Sequence, residues 1–335
     1  MNNGNTGGNI FGHAIRRITK IKELGILITL ILLFIILTIA SDVFCTATNL
    51  LNIVRQVSLM GIQALGMTMV IAVAGVDLSV GAVYALSATS TAVMMTRLQI
   101  PIVLSCMLGL IVGLVFGLIN GIIIGYIKVP AFIATMGTMN IARGLALILS
   151  NGMIISLDRD PVADPDNLPG FFQMGGGSVF GIPSLALVFI ILTIIAYFYF
   201  HKSMQGFRMR AVGGSIDAAR ASGINVRRVI MLPYVIIGVL CSITAILNFS
   251  FMHTVQGTMG EGMELDVLAG AYIGGASPAG GSATIIGTVI GVLIMGVLKN
   301  GLVLLGVDAY MQKVVIGVLV IVAVVIDMYN NAKRQ

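Results

Sequence analysis

Charged residues are scarce in this chain. Only 10% of its 335 residues are Asp, Glu, Lys or Arg, and 58% are hydrophobic, whereas soluble domains carry about 25% charge. The mean hydropathy is +1.05. Because so few polar residues cannot cover a surface that faces water, most of the surface must face lipid. The composition therefore excludes an ordinary soluble domain and predicts an integral membrane protein.

Cysteine is scarce as well, and the common motifs of metal and catalytic sites are missing. Cys45, Cys106 and Cys241 lie far apart, without CxxC or Cys/His spacing, so they indicate packing residues and not a disulfide framework. The three histidines lie in separate loops, and neither HExxH nor GxSxG occurs. We predict no catalytic residue and no metal site.

Two further absences limit the function. No lysine follows a glycine, so the Gly-x4-Gly-Lys phosphate loop is impossible and the chain has no ATPase site or cofactor of its own. The polar N-terminus runs through four basic residues into an apolar stretch that has no small-residue cleavage pattern, which does not fit a cleavable signal. Any energy for transport must come from a partner subunit or an ion gradient.

The net charge of +6 does not indicate a nucleic-acid partner, because the basic residues are placed as in a membrane protein. Most lie at the ends of apolar runs, and cytoplasmic loops of membrane proteins collect Lys and Arg. Six share one loop: Lys202, Arg208, Arg210, Arg220, Arg227 and Arg228.

Hydropathy and helix breakers predict an all-α integral membrane protein with about ten transmembrane helices. The predicted spans are residues 24–40, 58–74, 78–96, 102–127, 132–150, 184–200, 229–251, 265–273, 284–305 and 314–329.

Charge placement predicts the orientation and the division of the chain. Residues 1–23 form a cytoplasmic N-terminal segment, and residues 24–200 form a first membrane half of about six helices with an extracytoplasmic segment at 151–182. The basic loop 201–228 is cytoplasmic. Residues 229–329 form a second half of about four helices, and residues 330–335 form a cytoplasmic tail.

The most informative motif is the sequence AGVDLSVG at residues 74–81, between two apolar runs. A carboxylate inside a membrane segment is costly and usually functional. Irregular glycine-rich backbone is tolerated there only where protein or a water-filled cavity surrounds it. Asp77 and Ser79 are therefore candidates for a solute pathway, while the alternative makes Asp77 the N-cap of the following helix.

An internal repeat is visible. The first half has Gly109-x3-Gly113 and later Asn120-Gly121, and the second half has Gly287-x3-Gly291 and later Asn300-Gly301. The two Asn-Gly pairs are separated by five predicted crossings, so the second copy enters the membrane from the opposite side. Inverted repeats build alternating-access pathways at their interface, although small-x3-small patterns also occur in membrane helices generally.

The basic loop contains a predicted short amphipathic helix at residues 214–225. Ser215 fits an N-cap, the alanines favour a helix, and Gly223 fits a stop. We expect this stretch to be the only one between two spans with such helix chemistry. A solvated cytoplasmic helix is the alternative to a coupling role.

Here the sequence resembles the EAA loop of ABC importer permeases, because Asp217-Ala218-Ala219-x3-Gly223 occupies the EAA-x3-G positions. Asp replaces Glu, and Pro233 follows sooner than in the consensus. Together with AGVDLSVG and the segment from Glu264 to Gly281, the order of motifs resembles the ribose-type permease subunits of bacterial monosaccharide ABC importers. The similarity extends over residues 49–327.

The resemblance implies a type II importer permease in the bacterial inner membrane, which passes a monosaccharide from a binding protein across that membrane. It implies a second permease copy, identical or related, and ATP-binding subunits that carry ATP and Mg. An extracytoplasmic sugar-binding protein would deliver the solute. The coupling helix would dock on the ATPase through Gly214, Asp217, Ala218, Ala219, Arg220 and Gly223.

Further pathway candidates are polar residues within the spans. Asn120 and Asn300 occupy equivalent repeat positions and either line the pathway or bond between helices. Thr135, Thr138 and Asn140, with the nearby Arg143, give the fifth span a polar stripe that offers hydroxyl and amide partners to a neutral sugar. Interhelical bonding is the alternative for this stripe as well.

Two other functions stay open at the level of sequence. An ion-coupled secondary transporter would use intramembrane acids, for which Asp77, Asp266 and Asp327 are the candidates. A membrane enzyme is the less favoured alternative, because the histidines are scattered and no catalytic motif accompanies them.

Overall fold

The computed structural model describes residues 23–332, and nearly all regular structure in this range is helical. The predicted N-terminal segment before residue 23 and the last three residues of the predicted tail lie outside it, as does the side chain of Asp327. The helices are α1 Glu23–Ala40, α2 Ala47–Ala72, α3 Val80–Thr96, α4 Ile102–Ile122, α5 Ala131–Ser150, α6 Leu168–Gly176, α7 Ser184–Tyr197, α8 Met204–Gly214, α9 Ile216–Ala221, α10 Val226–Met252, α11 Met263–Ile273, α12 Ile285–Leu304 and α13 Ala309–Ala332.

Short elements complete the fold. π-helical turns extend α4 over Ile123–Ile127 and α7 over Phe198–Lys202, and a 3-10 turn covers Pro165–Asn167. Strand β1 (Ile155–Ser156) pairs antiparallel with β4 (Thr254–Val255), and β2 (Ser178–Val179) pairs with β3 (Ile182–Pro183). We call the end of the molecule that carries α8 and α9 the basic end, and the end that carries these strands the strand end.

A helix lies at each of the predicted spans, which confirms the all-helical membrane fold. Seven of these helices, with their extensions, are long and apolar enough to cross a membrane by themselves. Of the other three, α3 and α11 are shorter, with 17 and 11 residues, and α13 has 24 residues, of which only part have described side chains. At about 1.5 Å per residue, the 11 residues of α11 rise only about half of the roughly 30 Å hydrocarbon core.

Two regions contain more structure than the sequence predicts. Within 151–182, helix α6 packs against α10, where the Ser250 hydroxyl donates to the Phe171 carbonyl and accepts from the Gly175 amide. In the basic loop, the expectation of a single helix is wrong, because α8 precedes α9. The Ser203 hydroxyl caps α8 by accepting from the Gly206 amide at 3.2 Å.

The contacts between helices follow the predicted inverted repeat. Helix α4 packs on α3 and α10, and α12 packs in the corresponding way on α11 and α2. Helices α2 and α10 contain 26 and 27 residues. Each is followed by a non-glycine residue with positive φ, Ala74 at the basic end and His253 at the strand end, both at 58°. A short helix, α3 or α11, comes next in both copies, and the irregular segments that precede these short helices therefore begin at opposite ends of the molecule.

Helix α2 forms the centre of the molecule, and α1, α5 and α7 expose apolar side chains around it. Hydrogen bonds between side chains join α2 to α12 near both ends of α2. Thr68 and Thr288 share one hydrogen bond of 2.5 Å, and the Asn49 and Asn300 amides exchange two, of 2.9 and 2.8 Å. A corresponding bond of 2.7 Å joins Ser87 of α3 to Ser242 of α10.

Helices α4 and α10 approach most closely at a pair of glycines. A Cβ on Gly113 would lie 2.1 Å from the Gly238 carbonyl oxygen, and a Cβ on Gly238 would lie 2.2 Å from that of Gly113. Real Cβ contacts are never so short, so only glycine permits this spacing. Small residues at such crossings let membrane helices pack backbone against backbone.

We expect Gly113→Val to destabilise the chain strongly, because overpacking of a close contact costs about 1–3 kcal/mol or more. Gly144→Val is the matched control, since a Cβ on Gly144 meets no atom within 4 Å. Thermal unfolding in detergent can be followed with a thiol-reactive dye, because Cys241 is buried in the folded chain. Equal melting temperatures for both variants would contradict the proposed packing constraint.

Candidate functional site

The predicted helix break is present between α2 and α3. Residues 73–79 form no helix, and Ala74 has a φ of 58°. Two contacts hold the break: the Gly281 amide donates to the Ala72 carbonyl at 3.0 Å, and the Tyr234 hydroxyl donates to the Val76 carbonyl at 3.4 Å. The break is thus irregular backbone enclosed by protein, the condition under which such backbone is tolerated at membrane depth.

The Asp77 carboxylate is buried at this break, with 3% of its residue surface exposed. It accepts hydrogen bonds from the Ser79 amide at 2.8 Å and the Ser79 hydroxyl at 2.6 Å. Asp77 is not the N-cap of α3. Ser79 occupies that position without a capping side-chain bond, and Asp77 binds its amide from two residues upstream. The predicted capping role is corrected to a turn that precedes the helix.

The hydrogen bonds continue from the break into two neighbouring helices. The Asn120 side-chain amide on α4 donates to the Ser79 hydroxyl at 3.0 Å. The Thr138 hydroxyl on α5 donates to the Asn120 side-chain oxygen at 2.7 Å. We call Asp77, Ser79, Asn120 and Thr138 the polar chain; all four residues are buried. Each of them is a candidate from the sequence, and the structure brings them together.

The other pathway candidates lie apart from the polar chain. The Thr135 hydroxyl bonds to the Ala131 carbonyl of its own helix, and Asn140 is exposed and bonds to the Met136 carbonyl. Asn300 pairs with Asn49 on α2. Asn120 and Asn300 therefore both bond between helices, which is the packing role that the sequence left open.

The second break follows α10 and lies against the first half of the chain. The Arg143 guanidinium on α5 donates to the Gly257 and Met259 carbonyls at 2.8 and 2.6 Å. A Cβ on Gly81, at the start of α3, would lie 2.1 Å from the Gly260 carbonyl oxygen. The breaks of the two repeats therefore meet at the N-terminal ends of α3 and α11. This segment was not predicted from the sequence, although its glycines at 257, 260 and 262 signal irregular backbone.

A cavity of about 760 Å³ opens beside the first break. Its walls are residues 73–75 of the break, residues 124–125 and the link 128–131 between α4 and α5, helix α9, and residues 224–227 with Ile230 and Tyr234 of α10. Helix α9 and the break therefore border the same cavity.

The predicted cap and stop of α9 are confirmed. The Ser215 hydroxyl accepts from the Ala218 amide at 3.3 Å, and Gly223 has a φ of 77°. Gly214 ends α8 instead of belonging to α9. Of the two alanines, Ala219 is buried against the rest of the chain, while Ala218 is exposed. The other proposed coupling residues are also exposed, with Asp217 and Arg220 paired at 3.3 Å: Gly214, Asp217, Arg220 and Gly223.

Residues 49–324 match the family described as branched-chain amino acid transport system, permease component. This chain belongs to that permease family. It is 41% identical to the ribose import permease protein RbsC of Bacillus subtilis (strain 168), over 93% of this chain and 94% of the relative. Identity is 37% to RbsC of Escherichia coli (strain K12), over 90% and 92%.

A further relative is the L-arabinose ABC transporter permease protein AraH of Azospirillum brasilense, with 31% identity over 94% of this chain and 90% of the relative. No solved structure matches this chain. The family membership, together with the apolar helices, confirms the predictions of a permease subunit and of a multi-pass protein in the inner membrane.

We expect Thr138→Val to destabilise the helix bundle by about 0.6–2 kcal/mol, the range found for interhelical hydrogen bonds in membranes. The substitution leaves the Asn120 side-chain oxygen without its donor from α5. Thr135→Val is the matched control, because its hydroxyl bonds only within α5. Unfolding in mixed micelles with increasing denaturing detergent measures both. Equal losses would mean that the bond to Asn120 contributes little.

Proposed function

We propose that this permease is the membrane subunit of an ATP-driven importer, and that it passes a monosaccharide into the cell. The observation that carries the proposal is the buried polar chain at the break, beside a cavity that α9 also borders. Broken helices of this kind mark solute sites in transporters with inverted repeats. The relatives named for ribose and arabinose import support a sugar as the solute.

The chemistry of the break also favours a neutral solute over an amino acid. An amino acid carries an ammonium and a carboxylate, and inside a membrane each needs an opposite charge from the protein. The polar chain contains one carboxylate, two hydroxyls and one amide, and the carboxylate is already bonded to Ser79. Hydroxyl and amide groups suit the hydroxyls of a sugar. Solute contact with Asp77, Ser79, Asn120 and Thr138 is part of this proposal.

Movement of α9 would reach the break through direct backbone contacts. Gly213, at the end of α8, lies so close to the last residue of α2 that a Cβ on it would be 1.9 Å from the Ala72 carbonyl oxygen. Gly281 bonds to the same carbonyl. A partner ATPase that moved α9 would therefore act on the point where α2 ends. Alternating access then follows if the helices around the joined pair α2 and α12 open the solute site to one side of the membrane at a time.

The proposed partners follow from this function. They are an ATP-binding subunit that carries ATP and Mg, an extracytoplasmic sugar-binding protein, a second permease copy and membrane lipid, with no nucleic acid. The basic end faces the cytoplasm in this proposal, in agreement with the placement of Lys and Arg. The six coupling residues named above supply the contact with the ATPase: Gly214, Asp217, Ala218, Ala219, Arg220 and Gly223.

The intramembrane acids give the ion-coupled alternative little support. Asp266 on α11 forms an ion pair with Lys299 on α12, so its charge is already neutralised. Asp77 is bonded to Ser79. Among the side chains that the structure describes, no second acid pairs with either one. Ion coupling would have to use a carboxylate that changes partners during transport, whereas coupling through α9 needs only motion of a helix at the surface.

Uptake in a strain that lacks this chain tests the solute. We expect complementation to restore uptake of at least one labelled monosaccharide, and no uptake of labelled leucine. Asp77→Leu should abolish sugar uptake while the chain still folds, because the substitution removes the acceptor of the polar chain. Asp166→Leu, at an exposed acid, serves as control. Leucine uptake, or normal sugar uptake by the Asp77 variant, would contradict the proposal.

Substitutions in α9 test the coupling. We expect Ala218→Trp to leave the melting temperature of the permease unchanged, because Ala218 is exposed, and to abolish co-purification of the ATPase. Ala219→Trp should instead lower the melting temperature, because Ala219 is buried and overpacking costs about 1–3 kcal/mol.

Met204→Trp, at an exposed position of α8, controls for an added indole in the same loop. The proposal for α9 fails if Ala218→Trp retains both the ATPase and full solute-stimulated ATP turnover.

A further inference from the structure

The side chains that line the cavity beside the break carry a net positive charge. Three cationic side chains line it, and they come from three separate elements: Lys128 from the α4–α5 link, Arg220 from α9 and Arg227 from the first turn of α10. The Asn225 side chain adds an amide. Among the side chains described within residues 23–332, no carboxylate lines this cavity. Its volume of about 760 Å³ falls in the range of small-molecule sites, about 300–1,000 Å³.

Two of the three cations have no acidic partner in the described part of the chain. Arg220 pairs with Asp217 at the surface, but neither Lys128 nor Arg227 forms an ion pair there. Arg227 also lies in the first turn of the 27-residue helix α10, where the helix dipole favours a negative charge. The cavity therefore combines unpaired cations, a favourable helix end and enough room for a ligand.

The residues that line the cavity indicate the chemistry of the ligand. Guanidinium groups bind phosphate through paired hydrogen bonds, and lysine contributes a point charge beside them. Residues 73–75 of the break also line the cavity and contribute backbone and small apolar side chains, as does Tyr234. A ligand with one anionic group and an uncharged remainder matches this mixed lining.

We propose that this cavity binds a phosphate group through Lys128, Arg220 and Arg227, and that the group belongs to a small phosphate ester or to a lipid head group. The ligand bridges α9, the α4–α5 link and the break. If α9 couples the ATPase to the break, as proposed above, the bound phosphate restrains that movement and slows import. The binding site itself does not depend on that function.

Binding is measured on the full-length chain in nanodiscs of phosphatidylcholine, titrated with inorganic phosphate and with glycerol 3-phosphate. We expect saturable binding that chloride at the same ionic strength does not reproduce. The double variant Lys128→Gln/Arg227→Gln should bind at least about tenfold more weakly, as expected when charge-assisted hydrogen bonds are lost. A chain with Lys128→Gln and Arg227→Lys should bind more tightly than this double variant, because lysine keeps the charge at position 227.

Arg228→Gln is the matched control, because it removes the same charge from the next residue, which does not line the cavity. It should change the affinity less than twofold. A melting temperature measured for each variant separates loss of binding from loss of folding. Neither measurement needs a sugar or an ATPase, so a failure here is distinct from a failure of the proposed function.

A second set of nanodiscs, containing phosphatidylglycerol, distinguishes the two sources. Binding of the soluble probes in phosphatidylcholine assigns the site to a small ester. Retention of phosphatidylglycerol by the parent chain and not by the double variant, without binding of soluble probes, assigns it to a lipid head group. The proposal is overturned if neither ligand binds, or if Arg228→Gln weakens binding as much as the double variant does.

Discussion

The architecture depends on enclosing a broken helix inside a bilayer. Lipid cannot hydrogen-bond the free backbone groups or the carboxylate of such a break, so protein must do it. Here α10 supplies Tyr234, the loop before α12 supplies the Gly281 amide, and α4 and α5 extend the bonds of Asp77 through Asn120 and Thr138. The close glycine crossing of α4 on α10 brings these helices near enough to do so. The break therefore determines which helices must be neighbours.

The same requirement explains the arrangement of the second repeat, with different residues. There the irregular segment after α10 is bonded by a guanidinium, that of Arg143, instead of by a chain of small polar side chains. Its short helix α11 carries an ion pair to α12, whereas α3 is joined to α10 through two serine hydroxyls. The repeat thus preserves the path of the backbone while the polar chemistry differs between its copies.

Much of the fold could be predicted because its signals are local. Apolar runs located the membrane helices, Ser215 and Gly223 located α9, and Asp77 between glycines located the break. The site was harder to predict from the sequence. Which candidate side chains meet depends on the rotation of each helix about its axis, and a shift of one residue turns a side chain by about 100°. Thr135 and Thr138 illustrate this: only Thr138 reaches another helix. The burial of Ala219 beside exposed Ala218 has the same cause, and the contact of Arg143 with the strand-end segment required tertiary packing that no local pattern contains.

The paired amides of Asn49 and Asn300 have a consequence for motion. Each amide donates to and accepts from the other, so sliding α12 along α2 by one turn would leave two donors and two acceptors of buried side chains without these bonds. Thr68 and Thr288 impose the same condition nearer the other end of α2. The two contacts lie about 29 Å apart along α2 and about 18 Å apart along α12, at 1.5 Å per residue, so rotation of one helix about a single contact is blocked as well. Helices α2 and α12 must therefore move together as one rigid unit, and any alternation between open states must come from movement of the helices around them.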